Sequence, residues 1–297
     1  DTSPHTSPDT ALEDAPRPRR VFVARHALLV RLTHWMNAIV LAVMLLSGLQ
    51  IFNAHPALYW GQYGADDDHA VIEIGAERHD GALRGVTRIG PLSLTTTGVL
   101  GVSRQDGETR ARAFPSWLTV PSYQDLSTGR RWHFFFAWLL VINGLIYLGY
   151  GFWSGHLRRD IVPARAEVSP AHLAHEISQH ARLRFPEGEA ARNYNSLQKL
   201  AYLGVIAILL PLMVLTGLAM SPGFDAAVPL LPQLFGGRQS ARTVHFIAAS
   251  LLVGFVVVHI AMVLLSGVVN NLRSMITGRY AIDTAADPVA VPNGDKP

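Results

Sequence analysis

His245 and His259 stand 14 residues apart in one apolar run, roughly Thr243 to Gly267. On an α-helix that spacing falls about 40° short of four turns and climbs ~21 Å, so the two imidazoles share a face at two depths. One metal centre cannot use both; two centres stacked along the helix can. His34 and His133 stand at the edges of two other apolar runs. A ligating side chain within or beside such a run is costly and marks function by default. A lone histidine could simply cap its helix, but four at two depths favour ligation. Imidazole on both axial positions of a haem iron leaves no open coordination position, which suits electron transfer.

Three of the four carry an arginine three residues earlier: Arg31 before His34, Arg130 before His133 and Arg242 before His245. At i and i+3 the two side chains share a helix face. A guanidinium fork matches a carboxylate, and haem propionates are carboxylates. Snorkelling arginines at helix ends would leave the same pattern. The chain has no cysteine, so a haem could not be attached through a C-x-x-C-H motif and would be held non-covalently, as haem b. Gly48, Gly144 and Gly254 could let a flat macrocycle approach the backbone, although small residues also serve ordinary helix packing.

The elements that must position these residues are four apolar blocks, about 35–53, 132–153, 200–220 and 243–267. Each approaches the ~20 residues a helix needs to cross a bilayer. Of the 297 residues, 49% are hydrophobic and 16% charged, which is unusual for a soluble domain. The expected fold is therefore an all-α membrane protein: a four-helix bundle with a sizeable extracytoplasmic loop between the first two helices. The basic residues gather at helix ends rather than in a continuous patch, which argues against nucleic acid. Arginines crowd before the first block and between the second and third. By the positive-inside rule the termini are cytoplasmic in a multi-pass protein of the bacterial inner membrane. That orientation pairs His34 with His259 at the inner side and His133 with His245 at the outer side.

Residues 1–20 and 281–297 read as disordered tails flanking a 21–280 cytochrome domain. Loop 54–130 reads as a small ordered cap with a β-like run from Gly85 to Ser103, and loop 154–199 as cytoplasmic. Within the latter, Ser169 and Pro170 predict the start of a surface helix carrying Leu173, Ile177 and Leu183.

Arg31-x-x-His34-Trp35, the histidine opening the second block, the stretch Asn195-Ser196-Leu197-Gln198-Lys199 and the His245-x13-His259 spacing resemble the di-haem cytochrome b subunits of formate dehydrogenases and nickel–iron hydrogenases. That group belongs to the prokaryotic cytochrome b561 superfamily. The resemblance implies two haems b and a quinone, ubiquinone or menaquinone, beside the inner haem. The matching positions for the quinone are Asn195, Gln198 and Lys199, whose polar tips can hydrogen-bond its carbonyls. The long first loop is more similar to cytochrome b subunits that accompany molybdopterin oxidoreductases such as thiosulfate reductase. The implied function is a membrane anchor carrying electrons between quinone and an extracytoplasmic redox partner. The alternatives are a stand-alone quinone-linked oxidoreductase acting on an oxygen species or ferric iron, and a transporter or proton channel.

Overall fold

The computed structural model describes residues 19–64, 68–105, 107–182 and 194–284. Its long elements are helices α1 (Leu28–Phe52), α2 (Leu126–Trp153), α3 (Pro170–Ala181), α4 (Ser196–Ala219), α5 (Arg238–Leu265) and α6 (Val268–Thr277). Helices α1, α2, α4 and α5 are long and apolar enough to cross a membrane. Each begins a turn or more before the block expected from sequence. The blocks stop short of the arginines, but helical hydrogen bonding continues through Arg31, Arg130, Arg131 and Arg242. Ile39, Leu145 and Val257 are each about 60% or more exposed, the surface expected of spans facing lipid.

α1 and α2 pack through a buried cluster of Val40, Met44 and Leu140, joined by Phe136 and, from α4, Leu210. The buried Asn143 amide donates to the Thr33 carbonyl (2.9 Å) and to Asn37 Oδ1 (2.6 Å), fixing the register of the pair. In α4 the backbone widens to π-helical bonding over Val205–Leu209, just before Pro211. Proline lacks an N–H and its ring crowds the carbonyl four residues back; an added residue in the turn relieves both.

A β structure occupies one end of the bundle, called here the cap end. Counting β1 as Arg19–Ala24, the cap strands are β2 (Ala57–Leu58), β3 (Ile72–His79), β4 (Ala82–Ile89), β5 (Leu92–Thr95), β6 (Val102–Gln105) and β7 (Glu108–Ala111). β2 to β5 form one antiparallel sheet in chain order, and β6 and β7 form a hairpin. The β-like run expected over Gly85–Ser103 thus belongs to a larger β unit, and the all-α expectation holds for the bundle alone. Phe52 of α1 packs with Leu58, Ile74 and Ala113 of the cap.

Arg112, only 7% exposed, locks this joint. Its guanidinium donates to the Ser122 carbonyl (2.7 Å), Gln50 Oε1 (2.6 Å) and Thr119 Oγ1 (2.7 Å). Gln50 in turn donates to the Tyr123 carbonyl (2.9 Å). Arg112→Met should cost about 2–3 kcal/mol, because it strips a charged donor from buried acceptors. Thermal unfolding of the purified chain checks this; an unchanged midpoint would show that the joint does not depend on Arg112. The cap also closes α5. Gly237 has no side chain to cap the helix, so the Gly61 carbonyl accepts from the first-turn amides of Gln239 and Ser240, both at 3.1 Å.

At the opposite, terminal end, β1 pairs antiparallel with β8 (Arg279–Thr284). Residues 19–20 and 281–284, expected in the tails, are therefore strands: each supplies the other's backbone partners, a long-range match that neither segment announces alone. The rest of both expected tails lies outside the described residues. Helix α3 forms over the expected segment, and Leu183 also lies outside the described residues. α6 is held to α1 by Trp35 Nε1, which donates to the Met275 carbonyl (3.1 Å), and by Arg31, which donates to the Ile276 carbonyl (2.6 Å).

Candidate functional site

The four histidines meet in two pairs. His34 of α1 faces His259 of α5 with ring centroids 6.2 Å apart, toward the terminal end. His133 of α2 faces His245 of α5 at 6.3 Å, toward the cap end. A metal–imidazole bond of about 2.0 Å, with the ring centre about 1.1 Å behind the nitrogen, puts two trans imidazoles about 6.2 Å apart. Both pairs have that separation, and neither is joined by a hydrogen bond among the described residues.

Hydrogen bonding sets the tautomer at the cap end. His133 Nδ1 lies 3.1 Å from the Met44 carbonyl, which can only accept, and 3.1 Å from Ser47 Oγ. The proton is therefore on Nδ1, and Nε2 keeps its lone pair. Thr216 gives its one hydroxyl proton to the Leu212 carbonyl at 2.6 Å. Its oxygen, 2.9 Å from His245 Nδ1, must accept from that nitrogen. Nε2 of His245 is likewise left to ligate. A histidine ligand commonly donates its other N–H in this way, which fixes the ring and raises its basicity. At the terminal end His34 Nδ1 is buried with no hydrogen-bond partner. Phe255, one turn before His259, stacks on its ring at 5.9 Å and 15°.

Of the glycines expected beside a macrocycle, Gly48 lies against His133. A Cβ there would stand 3.4 Å from His133 Cε1. Gly217, not singled out by sequence, lies likewise against His245, at 3.6 Å. A Cβ on Gly144 or Gly254 would meet nothing within 4 Å.

The three arginines differ. Arg31 keeps its Nε buried and without a partner. Arg242 donates to the His55 carbonyl and lies over the Phe52 ring at 5.7 Å. Arg130 lies over Phe134 at 5.6 Å. Arg25, missed by the arginine–histidine spacing, also has a buried Nε without a partner, and its guanidinium sits 4.4 Å from the Tyr280 ring centre. Orphaned donors on Arg25 and Arg31, at the terminal end with His34, suit the carboxylates of a bound group, since a buried unpaired donor is otherwise costly.

Asn195, Gln198 and Lys199 come together at the start of α4, at the terminal end, with in-chain partners. Asn195 Oδ1 accepts from the Gln198 amide (2.8 Å) and Gln198 Oε1 from the Asn195 amide (3.3 Å), a capping box. Lys199 Nζ binds both oxygens of Glu167, at 2.9 and 3.0 Å. Those bonds and the Ala164 amide hold the Glu167 carboxyl below its usual range. An aromatic run leads from the same end to the histidine pair: Tyr194 to Tyr202 (5.4 Å), Tyr202 to Phe255 (6.2 Å), Phe255 to His259. Tyr194 Oη lies 3.3 Å from His26 Nδ1. Burial, then the Arg25 charge and weaker ones, pulls the His26 pKa down to about 4, and burial raises that of Tyr194. Sequence reasoning passed over His26 and Tyr194 because both precede their helices.

Four apolar helices carrying paired imidazoles at two levels define a membrane cytochrome of the electron-transfer kind. The comparisons agree. The chain belongs to the prokaryotic cytochrome b561 family, whose model matches residues 25–278. The family implies haem b. The chain is 30% identical over 258 residues, 86% of this chain and 96% of the relative, to a protein of Azospira oryzae provisionally named protein-methionine-sulfoxide reductase subunit YedZ1. No solved structure matches.

Proposed function

We propose that the chain holds two haems b, one between His34 and His259 and one between His133 and His245, and conducts electrons across the bilayer. The observation that carries this reading is the pair of 6.2 and 6.3 Å imidazole separations, with Nδ1 of His133 and His245 already donating. Haem supplies one-electron exchange at each level when bound. The chain's residues supply ligation through Nε2, ring orientation through Met44, Ser47 and Thr216, and cationic donors for the propionates: Arg25 and Arg31 at the terminal end, Arg130 and Arg242 at the cap end.

The quinone is assigned to the terminal end, which the arginine distribution makes cytoplasmic. Asn195, Gln198 and Lys199 build its floor, and the Tyr194–Tyr202–Phe255 run offers a flat surface leading to His259. The redox partner docks at the cap. The relative's name points to a subunit that reduces protein methionine sulfoxide, a step consuming two electrons and two protons and releasing water. A molybdopterin oxidoreductase is the proposed class, and electrons then run from hydroquinone to the cap.

Extraction and dithionite-reduced spectroscopy of the purified chain should return two haems b per polypeptide; one or none would overturn the reading. Thr216→Val, which keeps shape and removes the acceptor for His245, should raise the midpoint potential of one haem by up to about 60 mV, since a tenfold preference between oxidation states is 59 mV for one electron. Redox titration of the variant checks it; an unmoved potential would show that Thr216 does not tune the ligand.

A further inference from the structure

The proposed quinone reaction leaves protons to place. Oxidation of a hydroquinone to a quinone releases two protons with its two electrons. The two electrons would leave singly, each by way of the haem proposed at His34 and His259 and onward to the one proposed at His133 and His245. The protons need titratable groups of this chain between that pair and water.

The terminal end holds such a series. His156, just beyond α2, has its side chain 13% exposed, and its Nδ1 lies 2.7 Å from Asp160 Oδ2. The Asp160 side chain is 39% exposed and reaches solvent. On its inner side the His156 imidazole meets the Tyr147 ring edge-on at 6.1 Å and Tyr150 at 6.4 Å. The Leu157–Ile161 turn, which carries Asp160, packs against the first turns of α4, which begin just after Tyr194. Tyr194 and His26 are hydrogen-bonded at 3.3 Å and stacked. Three segments distant in sequence (24–26, 147–160 and 194) thus bring phenols, imidazoles and one carboxylate together from the interior to the surface. The charges facing them are Arg25, Arg31 and His34 from the α1 side and Arg159, whose Nε is 3.8 Å from Asp160. A histidine–carboxylate dyad half open to water, backed by tyrosines, is suited to exchanging protons with solvent.

We propose that His156 and Asp160 form the proton outlet of the quinone half-reaction, receiving protons by way of His26, Tyr194 and Tyr147 and releasing them from the Asp160 carboxylate to water. Each transfer moves one proton and no electron. In the reverse direction the same groups load a quinone. This rests on the quinone reading above.

The test is stopped-flow reduction of the haem-loaded full chain by decylubiquinol from pH 6 to 8.5, beside dithionite reduction. Asp160→Asn and His156→Gln should each slow quinol-driven reduction at least about tenfold and flatten its pH dependence. Haem content and dithionite reduction should stay unchanged, and Asp160→Glu should recover most of the rate. Zinc ions, which bind His and Asp together, should slow the unmodified chain with quinol and not with dithionite, a readout that stands even if a variant fails to assemble. Normal rates and pH profile in the variants, or no zinc effect, would overturn the outlet while leaving the quinone reading intact. No reduction of the unmodified chain by quinol would overturn the quinone reading, and the outlet with it.

Discussion

Exchanging His259 for leucine is expected to remove one haem from the chain and leave one. The lost centre is the one at the terminal end, because His259 faces His34 across 6.2 Å while the other pair lies ~21 Å away along α5. Dithionite should still reduce the remaining haem. Quinol should not, because the missing centre stands between the quinone end and the cap. His245→Leu should give the mirror result: one haem, still reduced by quinol, and no delivery to a partner. The pairing predicts a specific non-additivity. His34→Leu with His259→Leu should cost no more haem than either alone, whereas His34→Leu with His245→Leu should leave none. The measurement is haem per polypeptide with difference spectra in the presence of quinol or dithionite. Retention of two haems in His259→Leu, or one surviving haem in the cross-pair double variant, would refute the assignment.

The two histidine pairs were legible because membranes tolerate so few imidazoles. His34, His133, His245 and His259 stood out against runs of Leu, Val and Ile, and the 14-residue spacing separated two levels before any coordinates. The partners that fix the rings were not legible. Ser47 and Thr216 are ordinary small residues of apolar helices, and the Met44 carbonyl belongs to the backbone; only packing brings them to His133 and His245. Asn195, Gln198 and Lys199 show the opposite difficulty. Their types suit a quinone, yet two of them also spell a capping box and the third finds Glu167, 32 residues earlier. Local sequence could not rank those roles. His26, Tyr194 and His156 lie in loops whose meeting depends on how α1, α2 and α4 end, and the β1–β8 pair joins segments more than 250 residues apart. Both belong to tertiary structure, where periodicity carries no signal.

The second large effect concerns the cap, and it separates the cap from the haems. Gly101 has φ +79°, and a Cβ on it would lie 2.1 Å from the Gly75 carbonyl oxygen and 3.0 Å from Gly85 Cα. A Cβ on Gly85 would in turn lie 2.3 Å from the Leu100 carbonyl oxygen. The chain entering β6 therefore crosses the β3–β4 ladder backbone to backbone. No rotamer relieves a clash made by Cβ itself, so Gly101→Ala should be nearly as damaging as Gly101→Val. Each should cost more than about 4 kcal/mol, the range of exceptional single substitutions, and that exceeds what a small sheet can lose and stay folded. The Gly101 carbonyl also accepts from the Arg112 amide at 2.9 Å, so the Arg112 joint loosens too. The haems should nonetheless remain. The hydrogen bonds that orient His133 and His245 come from Met44, Ser47 and Thr216, all on helices and none on the cap. Limited trypsin digestion should then cut quickly at cap arginines such as Arg84 and Arg104, while the dithionite spectrum still reports two haems and quinol still reduces them. Electron delivery to the redox partner proposed to dock at the cap should fall to background. A trypsin-resistant Gly101→Ala chain would refute the backbone crossing. A chain that loses one haem with its cap would show that the β unit helps to hold the His133–His245 centre and is more than a platform for the partner.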